Sequence, residues 1–508
     1  MTATARAPQL VPPPVLATSV RASALWSGDR RIEAESYLTE GYLLRQRIER
    51  IGAKPLEHAA KVWQPSRLKG IQVSRGDGVP FLAATQVLDT RPTPRKWLSA
   101  RHTPDVAQRY VHDGWILVTC SGSVGDAIMA YRPLENVVIS HDLLRVVPHN
   151  SSDTGFLYAF LRTHHARGMM RSTKYGNVIK HLEPSHLDAV LVPSVGDRIK
   201  EILKRAIYKC FALRSDAFDL ICKAEATFAN AIGPVDVEAA ELGFPVMARD
   251  MFHRGRRLYA YSYNPAACAA LKAIERSRKP VESLERATNK IFGVARFKHI
   301  YTATGTPYLD SEDLFKINPE ITKFIPRTAK KDAEKYFVEP NWLLVACSGQ
   351  IYGLNGSVTQ ATEWHQNKIV SNHVLRIVPG SVRSGYLRVA LGHPILGRPL
   401  VLREVFGTSI PEIDPESLRD FPVVRLGALE DEIADQAERC MALQTFAENL
   451  ENAATSLMES VIWHALGDVS EDDVDASLAR VRLAEIEASP ESVVTGDALK
   501  SRLARLNT

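Results

Sequence analysis

The chain is written twice. WILVTCSG, starting at Trp115, returns as WLLVACSG at Trp342, and VVISHDLLRVVP, ending at Pro148, returns as KIVSNHVLRIVP, ending at Pro379. Upstream, KPLEHAAKVW from Lys54 parallels KPVESLERAT from Lys279, and VPFLAATQVL around Pro80 parallels TPYLDSEDLF around Pro307. Downstream, YGNVIKHLEPSHLDAVLVP from Tyr175 parallels FGTSIPEIDPESLRDFPVV from Phe406, so that Gly176 answers Gly407 and Pro184 answers Pro415. DRRIEAESY, with Arg30 and Arg31, answers GRRLYAYSY, with Arg256 and Arg257. Short apolar strings recur by chance, but not in one order at a nearly constant offset. A duplicated unit is the better account, and whatever fold serves one half must serve the other.

Within each half, short β-branched runs (WILVTC, VVIS, LLRVVP) are separated by Gly, Ser, Asn and Pro, as sheet strands are. Each half then changes period. Ile199, Ile202, Ala206, Cys210, Leu213, Ala217, Leu220 and Ala224 recur at three- and four-residue steps, which predicts a long helix with an apolar seam. Leu429, Ile433, Ala437, Cys440, Ala447, Leu450, Ala454, Leu457 and Val461 do the same in the second half. One such seam ordinarily lies on its own domain. Two equivalent seams bearing Ala and Cys, which permit close approach, predict that the helices pack on each other as an antiparallel coiled coil. The expected class is α+β: two tandem mixed α/β domains, each followed by a long helix. The rod is expected to hold the sheet domains apart, so that four residues inserted between Asp216 and Lys223 would lengthen their separation.

A length of 508 residues exceeds what one core usually serves. The net charge of +5 is weak for so long a chain, so a nucleic-acid surface must be a local patch. The six cysteines lie far apart with no Cys-x-x-Cys pair, which fits a reducing compartment and argues against a cysteine-built zinc site. Prolines interrupt the N-terminal stretch, and no apolar run approaches membrane-spanning length. A cytoplasmic protein with no membrane association, no metal and no cofactor is expected.

Contact with DNA requires Lys and Arg free of carboxylates to neutralise phosphates, with amide and hydroxyl groups for base edges. Four acid-free runs qualify. Residues 61 to 76 carry Lys61, Arg67, Lys69 and Arg75; residues 155 to 182 carry Arg162, Arg167, Arg171, Lys174 and Lys180, with His164, His165 and His181. Residues 296 to 309 carry Arg296, Lys298 and His299; residues 380 to 403 carry Arg383, Arg388, Arg398 and Arg403. The Gly176 and Gly407 loops, flanked by Tyr175, Asn177, Thr408 and Ser409, can bring backbone N–H groups to a phosphate or form ordinary turns. Basic runs are commonly just solvated faces.

Catalytic signatures are missing. There is no Gly-x-x-x-x-Gly-Lys-Ser/Thr loop, no Asn- or Asp-Pro-Pro-Tyr/Phe string of the adenine methyltransferase kind, and no Glu-x-Lys of the nuclease kind. His164 and His165 are adjacent and cannot share a helix face around a zinc ion. Two other classes stay open, a DNA nuclease with an unrecognised site and a protein-interaction scaffold that does not bind DNA.

The strand-loop pair WILVTCSGSVG (115–125) and WLLVACSGQIYG (342–353), the LLRVVP and VLRIVP strands, and the loops 176–179 and 407–410 occur in one order, each set leading to a long seam helix. In this the chain resembles the specificity subunits of type I restriction-modification systems, over roughly residues 30 to 466. The resemblance implies a non-catalytic phage-defence subunit that reads a two-part target in double-stranded DNA. Its implied partners are two type I methyltransferase subunits and restriction/translocase subunits. It divides the chain into an N-terminal tail (1–29), a first target recognition domain (30–193), a spacer helix (194–233), a linker (234–249), a second recognition domain (250–424), a second spacer helix (425–466) and a C-terminal tail (467–508). The spacer helices depart from the family pattern at their starts, Gly196-Asp197-Arg198 and Glu430-Asp431-Glu432, where a Gln-rich run is usual.

Overall fold

In each half the apolar run of the WILVTC or WLLVAC string is a central strand of a four-stranded sheet. The computed structural model describes residues 34–67, 69–103, 105–173, 181–237, 243–253, 258–326 and 333–488, with positions 17, 19, 20 and 22. The first sheet runs Ala60–Trp63, Leu143–Pro148, Ile116–Thr119, Ala127–Met129, and the second runs Thr288–Phe292, Val374–Pro379, Leu343–Ala346, Val358–Gln360. The strand order is the same. Ile116–Thr119 and Leu343–Ala346 are buried at every position, which is why they read as unbroken apolar runs. Each half has a second sheet, of four strands in the first and three in the second, in which a parallel pair recurs, Phe81 opposite Val138 and Tyr308 opposite Ile369.

Register corrects one pairing read from the sequence. Lys61 lies opposite Val147 and Trp63 opposite Arg145; in the second half Lys290 lies opposite Val378 and Phe292 opposite Arg376. Those partners hold the same places in LLRVVP and VLRIVP, so Lys61 corresponds to Lys290 and Trp63 to Phe292. The string similarity of KPLEHAAKVW to KPVESLERAT had set Trp63 against Thr288. The second half carries extra residues there, with a register shift between Thr288 and Lys290.

Arg145 and Arg376 are wholly buried within these strands. Arg145 donates to the carbonyls of Ile139, Ser140 and Leu143, and Arg376 to those of Val370, Ser371, Val374 and Tyr336. Each closes the bend between its strand and the preceding one by satisfying carbonyls that no ladder reaches. Burial pulls both guanidinium groups down to about 10.

The two long helices, Asp197–Ile232 and Ala428–Ala465, contain 36 and 38 residues. At ~1.5 Å per residue each is a rod of over 50 Å. They pack on each other. The Cys210 thiol lies 3.2 Å from the Ala447 carbonyl, and further along the first helix the Cys222 thiol is within electrostatic range of Cys440, which comes earlier in the second. The first seam is buried at Ile202, Ala206, Cys210, Leu213, Ala217 and Ala224; Leu203, Ile207, Phe211, Ile221 and Phe228 are buried as well, because a short helix packs on another side. In the first half that short helix is Thr154–Arg162 and in the second Ser384–Gly392. Its glycine sits on the rod: a Cβ on Gly155 would stand 2.3 Å from Lys204 Cα, and one on Gly385 2.6 Å from the Ala434 carbonyl oxygen. The C-terminal segment adds a third helix, Glu471–Glu487, which covers part of the rod through buried Leu478 and Val481, a Ser460–Ser477 hydrogen bond of 2.8 Å, and Arg205 on Glu485. Among the described residues no helix is long and apolar enough to cross a membrane.

The rod does not hold the halves apart. Asp89 and Lys316 form an antiparallel bridge; Thr90 donates to the Phe315 carbonyl at 2.7 Å and Ile317 to the Leu88 carbonyl at 2.8 Å. Leu88 to Thr90 follow VPFL at the same step as Phe315 to Ile317 follow TPYL, so like meets like across the junction. Arg95 adds bonds to the carbonyls of Tyr352 and Gly353, and Gln444 of the rod donates to the Thr90 carbonyl. Four residues inserted into one helix would therefore break this junction rather than simply widen a gap.

Burial pushes the Asp89 carboxyl up to about 7, with Arg95 opposing, Glu312 reinforcing and Lys316 opposing. An unfolded aspartate titrates near ~3.9, so the fold favours the protonated form. That contribution is full below about pH 4 and is lost as pH rises through about 7. Urea titrations are expected to show stability falling more steeply between these values in the parent than in Asp89→Asn. Parallel profiles would mean that Asp89 does not titrate at the junction.

Candidate nucleic-acid interface

Beside the first sheet runs an open groove of about 360 Å³ lined by Lys61, Trp63, Gln108, Tyr110, His112 and Trp115. Alternation along the strand puts Lys61 and Trp63 on one side of the sheet. Trp63 and Trp115 meet edge to face at 5.9 Å, as Phe292 and Trp342 do at 5.7 Å in the second half. The chain leaving each strand is tied from beneath. Buried Arg109 donates to the Ser66 carbonyl at 2.9 Å, and the Tyr336 hydroxyl donates to the Ala295 carbonyl at 3.0 Å. Ser66 immediately precedes Arg67, and Ala295 immediately precedes Arg296.

Of the basic residues singled out in the sequence, Lys61, Arg67, Lys69, Arg75 and Lys298 are exposed, and so are Thr408 and Ser409 at the tip of a loop closed by the Phe406–Glu412 bridge. Arg75 lies over the Trp97 ring at 5.5 Å. Arg296 is exposed and reaches Glu412 at 2.9 Å. Lys174, Tyr175, Asn177 and Lys180 lie outside the described residues.

The others are held by partners within the protein. Arg162 donates to the carbonyls of Ala127 and Asn318 and lies 3.5 Å from Glu451; Arg167 and Arg171 both bind Glu320 of the other half. Arg388 is buried against the Ala437 carbonyl and the Cys440 thiol. Arg398 donates to the carbonyls of Ile351, Gly353 and Asn355 and braces the loop after the central strand. Arg383 is gripped by Asp431, Asp435 and Glu438 of the rod, and Arg403 by Glu404. His299 packs among Phe297, Tyr308 and Tyr301, and burial, then His373 and Lys323, pull its pKa down. No acid stands near Arg162, Arg167, Arg171 or Arg383 in sequence, but the fold brings Glu451, Glu320 and the Asp431, Asp435 and Glu438 group to them from elsewhere.

The densest such meeting is at Glu451, wholly buried in the second rod helix. It accepts two bonds from Arg214 of the first rod helix at 2.9 Å, one from the Tyr158 hydroxyl of the first half and one from the Asn318 amide of the second. Burial alone would raise its pKa, but Arg162 and Arg214 overcome that and hold the carboxyl well below the usual range. Four separate parts of the chain meet there. Lys290 and Arg109 were also missed by the sequence reading: the first because its half was aligned out of register, the second because a lone arginine carries no pattern.

No protein-family model matches the chain, and no curated protein does. Among solved structures it is similar to one described as the crystal structure of a Type-I restriction-modification system S subunit from M. genitalium. Identity is 11%, over 82% of this chain and 96% of that one, with a TM-score of 0.32. A second, from work on complex assembly and conformational transition of the type I R-M system, is 13% identical over 82% of this chain and 97% of that one, with a TM-score of 0.26.

Proposed function

We propose that the chain is the DNA-reading specificity subunit of a type I restriction-modification complex. Each half reads one part of a two-part target, and the chemistry belongs to methyltransferase and restriction/translocase partners. One observation carries this reading. Two sheets of the same strand order are each closed by a long helix, the helices pack together, and equivalent residues meet at Asp89 and Lys316. Two similar reading heads at a fixed mutual geometry are what a two-part target demands. In this reading the rod is an antiparallel coiled coil, which the Cys210–Ala447 and Cys222–Cys440 neighbours support, and residues 30–193 and 250–424 are the recognition domains.

The test is selection of bound sequences from a random duplex library by the purified chain, repeated across salt concentrations. Enrichment of two base blocks separated by a fixed gap is expected, with affinity falling steeply as salt rises. A single undivided motif overturns the two-reader arrangement. Binding indifferent to salt overturns the DNA reading, and cleavage or methyl transfer by the chain alone overturns the non-catalytic one.

A further inference from the structure

Once the strand register is used to align the halves, a pattern appears that the amino-acid strings had concealed. Lys61-Val-Trp63-Gln-Pro-Ser-Arg67-Leu-Lys69-Gly-Ile71 matches Lys290-Ile-Phe292-Gly-Val-Ala-Arg296-Phe-Lys298-His-Ile300 without a gap. Three cations and an isoleucine keep one spacing in both halves while most residues between them change. The fold treats them alike: Lys61, Arg67 and Lys69 are exposed, as are Lys290, Arg296 and Lys298, and Ile71 and Ile300 are 55% and 56% exposed.

Between Arg296 and Lys298, Phe297 packs with Tyr308 and Tyr336, and a Cβ on Gly70 would touch Leu98 and Thr103. Each segment is also fixed one residue before its arginine, at Ser66 by Arg109 and at Ala295 by Tyr336. Different side chains thus perform the same anchoring. A solvated face needs neither matched cations nor a tethered backbone.

We propose that these two segments are paired phosphate-backbone tracks, one for each half-site of duplex DNA, an inference that rests on the DNA-reading function above. An extended chain advances at most about 3.3–3.6 Å per residue, so Lys61 and Lys69 span less than one turn of duplex. All three cations of a track therefore fall on one stretch of one half-site. Because the halves meet through equivalent residues, a duplex that lies along one track in a symmetric complex meets the other in the same way. Arg296 must exchange Glu412 for phosphate, so the second track is the weaker of the two.

The test measures affinity of the full chain for a labelled random-sequence duplex about three helical turns long across a salt series. Lys61→Gln/Arg67→Gln/Lys69→Gln and Lys290→Gln/Arg296→Gln/Lys298→Gln are compared with the parent and with Lys223→Gln/Lys272→Gln, which removes two exposed lysines outside the tracks. Each triple variant is expected to reduce the slope of log affinity against log salt by about 2 to 3 and to weaken binding on the order of 10²-fold near 0.1 M salt, with the first triple losing more. The control is expected to show a smaller loss. A steep parental slope that survives in either triple overturns the paired tracks and leaves the DNA reading standing. Absence of salt-dependent binding by the parent overturns the reading itself. Glu412→Gln releases Arg296 without removing a cation and is expected to tighten binding a few-fold; weaker binding by this variant, folded as the parent is, counts against the second track.

Discussion

Glu451→Ala is expected to lower unfolding free energy by about 3–5 kcal/mol, the usual effect of removing one partner from a buried ion pair. Glu451 faces Arg214 and Arg162 in a site from which water is excluded, with the Tyr158 hydroxyl and Asn318 amide on the same carboxylate. Without it two buried guanidinium groups repel each other and two neutral donors lose an acceptor. The pair itself need not be a net source of stability, since its desolvation offsets much of its attraction. Arg214→Met together with Glu451→Leu should therefore recover a large part of the loss. Urea titrations of the three proteins decide it, and a cost below about 1 kcal/mol for Glu451→Ala would show that the cluster is open to solvent.

Gly155→Ala and Gly385→Ala form the second test. In both, the new methyl group meets main chain, which cannot rotate away as a side chain can: Lys204 Cα at 2.3 Å in the first half, and the Ala434 carbonyl oxygen at 2.6 Å with Cα at 3.0 Å in the second. The short helix must lift from the rod. A loss of about 1–3 kcal/mol is expected for each, toward the upper end for Gly155→Ala, where the approach is closer. Gly196→Ala is the control, because nothing lies within 4 Å of its added Cβ, and it should stay within about 0.5 kcal/mol of the parent. Equal stability in all three would mean that the short helices are not seated as described.

The strands and rod helices were legible because their signals are local. WILVTC is apolar throughout because its strand is buried throughout, and the steps from Ile202 to Ala224 are those of one helix face. The junction was not legible. Asp89 and Lys316 carry no pairing pattern, and nothing in the rod's sequence says that the domains meet beside it. The same limit explains the basic residues. Absence of acids within a sequence window identified Arg167 and Arg383, whereas Glu320 and the Asp431, Asp435 and Glu438 trio reach them only after folding. Lys61, Arg67 and Lys69 passed that criterion and are exposed, but their match to Lys290, Arg296 and Lys298 needed strand register, because string similarity had aligned Lys54 with Lys279.

The bridge of Asp89 to Lys316 also bears on synthesis. A ribosome adds roughly 5–20 residues per second, so the first half waits on the order of ten to fifty seconds for its complement to emerge as far as Ala465. Throughout that interval its helix seam and the edge at Leu88 to Thr90 are uncovered, and a neighbouring nascent chain on the same messenger offers identical surfaces. Pairing of two first halves would set Asp89 against Asp89, and pairing of two second halves Lys316 against Lys316. A carboxyl opposite a lysine at one equivalent position, where a copy would set two carboxyls or two lysines together, thus favours the late-arriving half of the same chain over an early copy from its neighbour.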